Sequence, residues 1–176
     1  MKEQAYQQAL AFNPNIVVIK LGTNDSKSFN WVYKADFIKD TQTMIDAFKA
    51  LPSQPEIYLC YPSKAYLTGE SINDDIISKE IIPMIKKVAK KNKLPVIDLH
   101  SAMDGMPELF PDHIHPNEEG AKVMAKAVYD ANKKIKETKE QTGINQQKRD
   151  FYRLSTLFIV FLLCYSRQST IFVPKP

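Results

Sequence analysis

The chain has 176 residues, of which 44% are hydrophobic and 25% are charged. This composition is typical of a globular domain and excludes a disordered or collagen-like chain, and two cysteines cannot form a disulfide framework. The net charge of +4 is unevenly placed, because residues 1–132 carry 15 lysines and 17 acidic residues, whereas residues 133–176 carry 9 basic and 3 acidic residues. The basic excess therefore belongs to the C-terminal stretch and does not predict nucleic-acid binding by the main body.

The predicted elements alternate between short apolar runs and longer amphipathic segments. Residues 1–11 are polar and helix-prone, and they lack the apolar core that a signal peptide has. Pro83 should kink or split the second long helix, Ser71 and Asp74 should cap that helix, and Asn117 should cap the last one. Strands are predicted at 15–21, 56–61 and 95–99, long helices at 34–51, 71–92 and 117–136, and a loop at 100–116.

This alternation predicts an α/β fold, a three-layer α/β/α sandwich around a parallel sheet. In such sheets functional side chains collect in the loops that follow the carboxyl ends of the strands. The loop after the first strand reads Gly22-Thr23-Asn24-Asp25. Asn24 could donate a hydrogen bond into a pocket and Asp25 could hold the turn through backbone N–H groups, although a plain Asx turn has the same sequence.

A second unusual loop precedes the last helix and holds two of the three histidines. Asp112 and His115 are three residues apart, so the carboxylate could accept a hydrogen bond from one imidazole nitrogen and leave the other as a base. Incidental histidines in a surface loop are one alternative. A metal site formed with His113 is another, but one short loop gives poor tetrahedral geometry.

Together the two loops resemble the SGNH (GDSL-type) hydrolases. Gly22-x-Asn24-Asp25 follows a strand, and Asp112-x-x-His115 precedes the final helix, in the order and context of that family. The resemblance covers residues ~5–132 and is strongest to bacterial carbohydrate O-acetylesterases and sialate O-acetylesterase-like proteins.

The resemblance implies acyl transfer through a serine ester of a small acetylated carbohydrate, with no metal or organic cofactor. No nucleic-acid partner is expected, because the basic excess lies outside the main body. It makes Asn24 a donor of the oxyanion hole, with Gly22 and Asp25 supporting its loop. His115 becomes the general base and acid, and Asp112 its orienting partner. It gives His113 no role. Full-length relatives are often secreted or periplasmic, which leaves the compartment of this chain open.

The chain departs from the family at the nucleophile, which belongs to a Gly-Asp-Ser block that does not occur here. The sole Asp-Ser pair ends in Ser26, directly after the oxyanion motif, and neither Ser63 nor Ser101 lies in a glycine-flanked elbow. Cys60, inside an apolar strand, is expected to be a core residue. The chain thus resembles the C-terminal two-thirds of the domain without its first strand. A non-catalytic fragment and a carbohydrate-binding pseudoenzyme are the alternatives.

Residues 1–136 are predicted to form this partial domain and residues 137–176 an atypical tail. All three arginines lie at or beyond Arg149, and no alanine follows Ala131. Residues 133–149 are expected to be partly helical and then disordered. The apolar run 154–165 is shorter than the about 20 residues of a bilayer span. It is interpreted as foreign sequence, as a membrane-associated segment through which the protein acts, or as a strand or helix covering the core; the change in composition favours the first.

Overall fold

The computed structural model describes residues 4–141, 161–163 and 170–172. A five-stranded sheet forms its centre, in the order β3-β2-β1-β4-β5. All neighbouring strands are parallel except β4 and β5, which are antiparallel. The strands are β1 (Ile16–Lys20), β2 (Glu56–Tyr61), β3 (Val96–Asp98), β4 (Phe161–Leu163) and β5 (Thr170–Phe172).

Seven α-helical segments and a π turn belong to the described residues. The helices are α1 (Gln4–Ala11), α2 (Ser28–Trp31), α3 (Phe37–Lys49), α4 (Asp74–Ile76), α5 (Ile82–Asn92), α6 (Leu99–Ala102) and α7 (Glu118–Gln141). Three single 3-10 turns lie in the connections, at Asn24–Ser26 between β1 and α2, at Lys34–Asp36 between α2 and α3, and at Pro107–Leu109 between α6 and α7.

Two apolar clusters cover the two faces of the sheet. Side chains alternate across a strand, so Val17 and Ile19 enter one cluster and Val18 enters the other. Because α1, α3 and α5 cover the first face and α6 and α7 the second, the predicted three-layer α/β/α fold with a parallel sheet is confirmed. The helical residues of the first cluster include Tyr6, Ala9, Phe37, Met44, Ile45, Phe48, Ile85 and Val88, and those of the second are Leu99, Met124 and Val128.

The second long helix differs from its prediction at its N-cap. Asn73 is the N-cap, because its side-chain oxygen accepts from the N–H groups of Asp75 (3.0 Å) and Ile76 (3.3 Å), so the predicted capping pair is wrong. The predicted interruption at Pro83 is present as a π turn over Ile77–Ile81, which separates α4 from α5. Pro83 is the second residue of α5. Such a π turn accommodates the missing N–H of a proline.

The segment before α7 is more ordered than the predicted loop. Asp98 is the N-cap of α6, because its carboxylate accepts from the N–H and the hydroxyl of Ser101, both at 2.8 Å, and His100 lies within this helix. The predicted cap of α7 is present, since the N–H of Gly120 donates to Asn117 Oδ1 at 2.9 Å. The helix runs five residues past its predicted end, to Gln141.

Part of the tail lies on the sheet. β4 pairs in parallel with β1 through Val18 and Phe161, on the edge of β1 that faces away from β2. The other residues of the 154–165 run lie outside the described residues, as does the predicted disorder of residues 142–149. No helix in the described ranges is long and apolar enough to cross a membrane.

A chain that ends at Lys136 is expected to stay folded and to unfold cooperatively, because the two clusters found in the described residues lie between Tyr6 and Val128. It should also be at least as soluble as the whole chain, since it loses an apolar run. Size-exclusion chromatography and thermal unfolding of both chains check this. Aggregation of the shorter chain alone would mean that β4 protects an edge of β1 that the domain needs covered.

Candidate active site

The register of the sheet brings the ends of its three central strands to one edge. Lys20, at the end of β1, is aligned with Cys60 of β2, and Tyr61 is aligned with Asp98 at the end of β3. Parallel strands point the same way, so the loops that follow β1 and β2 leave the sheet side by side. The first of these, residues 22–27, is called the Gly22 loop below.

Only glycine fits the first position of the Gly22 loop. Gly22 has a φ of +116°, and a Cβ there would lie 2.7 Å from Ile81 Cγ2 and 3.1 Å from Pro62 Cγ. Both the conformation and the contacts exclude a larger side chain. The loop is thereby pressed against the chain that follows β2.

A single 3-10 turn, Asn24–Ser26, shapes the rest of this loop. The backbone oxygen of Asn24 accepts from Asn30 Nδ2 at 2.7 Å, and this bond ties the turn to α2. Burial raises the pKa of Asp25, although hydrogen bonds from the backbone N–H groups of Asp25 and Gly22 partly oppose the rise. Asp25 thus faces inward and binds its own turn.

The second predicted site, the His115 loop (residues 110–117), contains a short imidazole–carboxylate bond. His115 Nδ1 lies 2.6 Å from Asp112 Oδ2, and Asp112 Oδ1 accepts from the N–H groups of His115 (2.6 Å) and Ile114 (3.0 Å). These hydrogen bonds, that of the His115 ring foremost, hold the pKa of Asp112 well below its usual range. The bond to Asp112 orients the ring of His115. The side chain of His115 is 72% exposed, so the ring is also open to solvent.

The His115 loop crosses the edge of the sheet. Phe110 is buried in the cluster on the α7 face, whereas Ile114 packs against the cluster on the opposite face. Between them His113 adopts a left-handed φ of 65°, and its carbonyl accepts from the N–H of Tyr66 at 2.8 Å. His113 is therefore a turn residue whose backbone anchors the loop to the chain after β2.

Residues 62–73, the connecting segment, contact both loops. At one end the N–H of Tyr66 donates to the His115 loop. At the other end the N–H of Asn73 donates to Ser26 Oγ at 3.0 Å, and that of Ser28 donates to the carbonyl of Glu70 at 3.2 Å. The segment is therefore hydrogen-bonded to both predicted parts of the site.

Sequence reasoning missed a buried polar cluster beside this segment. Asp74, only 8% exposed, accepts from His100 Nε2 at 3.0 Å and from the N–H of Ala65 at 3.0 Å, and pairs with Lys64 Nζ at 2.9 Å. Burial would raise the pKa of Asp74, but the hydrogen bonds from His100, Ala65 and Lys64 outweigh it and lower the pKa to about 2. No local pattern predicts this cluster, since 26 residues separate His100 from Asp74.

None of the serines considered from the sequence hydrogen-bonds His115 within residues 4–141. Ser26 is fully buried, and its hydroxyl donates to the carbonyl of Thr23 at 2.7 Å. Ser63 is also buried, and Ser101 Oγ donates to Asp98. Cys60 lies in the core, where burial raises the pKa of its thiol to about 12. In the same described range, no group of three or more His, Cys, Asp and Glu side chains could hold a metal ion.

Gly120→Ala should lower the thermal stability, although alanine normally stabilises a helix by about 1 kcal/mol relative to glycine. A Cβ at this position would lie 2.8 Å from Pro116 Cβ, next to His115. Overpacking of this kind costs about 1–3 kcal/mol. Denaturant unfolding measures the change in the free energy of unfolding. Glu119→Ala, on the exposed side of α7, is the control, and it should change that free energy by no more than about 0.5 kcal/mol. A more stable Gly120→Ala protein would contradict the close approach.

Asp74→Asn should lower the free energy of unfolding at neutral pH by roughly 2 kcal/mol, because a carboxyl pKa depressed from 3.8 to about 2 stabilises the folded state. That contribution is fully present above pH 3.8 and is lost as the pH falls through about 2. The difference between the two proteins should therefore narrow on acidification. Urea unfolding between neutral and acidic pH tests this, with the exposed neighbour Asp75, which pairs with Lys79, changed to Asn as the control.

The chain is similar in sequence and in fold to several known proteins. The acetylxylan esterase of Xylanibacter ruminicola is 44% identical over 147 residues, and the match covers 73% of this chain but 30% of that protein. Among solved structures, the lipase/acylhydrolase from Enterococcus faecalis aligns with a TM-score of 0.60 at 27% identity, covering 71% of this chain and 64% of that one. The acetyl xylan esterase AlAXEase, at 24% identity, has the same fold with a TM-score of 0.58 and coverages of 71% and 70%.

The chain therefore spans under a third of the length of the curated relative that it matches. The family model of GDSL-like lipases and acylhydrolases matches residues 1–123, a range that includes both site loops. On that match, the chain belongs to the GDSL-like lipase/acylhydrolase family.

Proposed function

We propose that this chain carries the oxyanion-hole asparagine and the histidine–aspartate pair of an esterase that removes acetyl groups from a carbohydrate. One observation carries the proposal: His115 Nδ1 lies 2.6 Å from Asp112 Oδ2, in a loop that the connecting segment ties to the loop of Asn24. Bound in this way, the imidazole presents Nε2 as the atom that exchanges protons.

In this reaction a serine oxygen attacks the acetyl carbon and passes its proton to His115 Nε2. The negative charge that develops on the carbonyl oxygen requires donors already in place, and Asn24 supplies one of them. As the tetrahedral intermediate collapses, the protonated His115 returns the proton to the leaving sugar oxygen. Asp112 remains ionised throughout and stabilises the imidazolium, in line with its lowered pKa.

The serine of this scheme comes from a Gly-Asp-Ser segment, which residues 1–176 do not contain. Ser26 is a poor substitute, because its buried hydroxyl holds the Gly22 loop and the connecting segment together. The nucleophile therefore has to be supplied by another segment, in the same polypeptide or in a second one.

The acetylated carbohydrate is proposed from the 44% identical acetylxylan esterase, and acetylated xylan is the first substrate to test. For that test, the segment that directly precedes the matched region in the Xylanibacter ruminicola relative is joined to Met1. Acetate release from acetylated xylan and hydrolysis of p-nitrophenyl acetate are then measured, with the unjoined chain as baseline. A folded hybrid that carries Gly-Asp-Ser and yet shows no activity above that baseline refutes the proposal.

In the active hybrid, three substitutions should act differently. Asn24→Ala should lower kcat by roughly 10²–10³ with little change in KM, because this donor acts on charge that develops only in the transition state. His115→Ala should remove nearly all turnover at every substrate concentration, since no other group takes the serine proton. Asp112→Asn should cost less than His115→Ala, because the ring remains able to act in part of its orientations.

His113→Asn is the matched control for His115→Ala. Asparagine tolerates the left-handed conformation of this position, so the backbone anchor to Tyr66 should persist and activity should remain within a few-fold of the parent. Steady-state kinetics on p-nitrophenyl acetate compare the four variants. Normal kcat in Asn24→Ala would show that the Gly22 loop is only a turn.

A further inference from the structure

The buried carboxylate of Asp74 binds the beginning of the connecting segment and also binds His100 of α6. Asp74 Oδ1 accepts from the N–H of Ala65 and from His100 Nε2, both at 3.0 Å, and Oδ2 pairs with Lys64 Nζ at 2.9 Å. The N–H of Asp74 donates in turn to the carbonyl of Leu67 at 3.1 Å. The beginning of the segment is thereby bound to the residue that directly follows its end.

The same carboxylate joins both sides of the sheet. Asp74 begins α4, and Ile77 in the π turn after it is buried in the cluster on the α5 face. His100 belongs to α6, whose Leu99 is buried in the cluster on the α7 face. The hydrogen bond between Asp74 and His100 therefore links the helical layers on the two faces of the sheet.

Two further contacts extend this anchoring toward the site. The hydroxyl of Tyr66 donates to the carbonyl of Met103 at 2.6 Å and accepts from the N–H of Met106 at 2.7 Å. The backbone N–H of the same residue holds the carbonyl of His113, two residues before His115. Displacement of the start of the connecting segment would therefore be transmitted to the His115 loop through Tyr66.

At its other end the connecting segment is hydrogen-bonded to the Gly22 loop. The N–H of Asn73 donates to Ser26 Oγ, and Ser26 Oγ donates to the carbonyl of Thr23, the residue before Asn24. Asn73 is the neighbour of Asp74 and the N-cap of the same helix. A shift of the start of α4 would thus move the turn that carries Asn24.

We infer that Asp74 is a positioning residue, which sets the placement of Asn24 relative to His115 by holding the two ends of the connecting segment together. The expected effect of Asp74 on catalysis rests on the proposed function. The expected effect of Asp74 on the geometry of the two loops does not rest on it, so the two effects can fail separately.

The geometric part is tested on the full chain by NMR. Asp74→Asn is compared with the parent through the imidazole cross-peaks of His115 and the side-chain amide cross-peaks of Asn24. Both sets should move in Asp74→Asn, and neither should move in the control Asp75→Asn, whose side chain is exposed and pairs with Lys79. A destabilised but folded Asp74→Asn protein with unchanged signals from both residues would reduce Asp74 to a structural role and overturn the inference.

A second variant serves if Asp74→Asn does not fold. Lys64→Met removes the partner of Oδ2, together with the pairing of Lys64 with Asp104 at 3.6 Å, and leaves the hydrogen bonds to Oδ1 in place. It should move the same two sets of cross-peaks in the same directions by smaller amounts. Unchanged cross-peaks in a folded Lys64→Met protein count against the inference.

In the active hybrid, Asp74→Asn should lower kcat between about tenfold and a hundredfold with little change in KM, the loss expected from about 1 Å of misplacement. Asp75→Asn should leave both constants unchanged. An unchanged kcat beside shifted NMR signals would refute the catalytic part alone. A hybrid without any activity would refute the proposed function, and the NMR comparison would still decide the placement of the loops.

Discussion

The parallel alignment of β1, β2 and β3 is the constraint on which the candidate site depends. It brings the ends of the strands to one edge, where the Gly22 loop and the connecting segment emerge next to each other. The contact of Gly22 with Pro62 and Ile81 is a direct consequence, because it packs the turn after β1 on the chain after β2. Without this register, the asparagine and the histidine, 91 positions apart, would share no neighbour.

Hydrogen bonds from the connecting segment hold the two loops in place. In the His115 loop, the carbonyl of His113 accepts a hydrogen bond from the N–H of Tyr66. In the Gly22 loop, the hydroxyl oxygen of Ser26 accepts one from the N–H of Asn73. This arrangement leaves the imidazole of His115 exposed while the loop that carries it is anchored. Such rigid support for an exposed group is what acid–base chemistry at a surface site requires.

The edge of β1 that faces away from β2 is covered by a strand from the tail. β4 pairs there through Val18 and Phe161. An unpaired strand edge exposes a row of backbone donors and acceptors, so any segment of suitable apolar character stabilises it. The pairing of β4 agrees with one of the three interpretations of the apolar run in the tail, that of a strand on the core.

The sequence by itself determined the features that depend on neighbours along the chain. Apolar runs and helical spacing predicted the three central strands, the main helices and the three-layer class, and the three-residue spacing of Asp112 and His115 predicted a bond that forms within one turn. Family resemblance added the expected pairing of these residues with Asn24. Local patterns failed where a distant partner competes, as at Asp74, which was expected to cap a helix and instead binds His100.

Tertiary structure decided which polar groups hold the site together. The bond from Asp74 to His100 joins residues 26 positions apart, and the one from Asn73 to Ser26 joins residues 47 apart. Neither residue pair has a periodicity or a spacing that a sequence could reveal. Burial makes these partners obligatory, because an unpaired carboxylate or hydroxyl inside the protein costs more than its hydrogen bond returns. The local sequence therefore sets which reactive side chains the loops carry, whereas the packing of the whole domain sets where the loops lie.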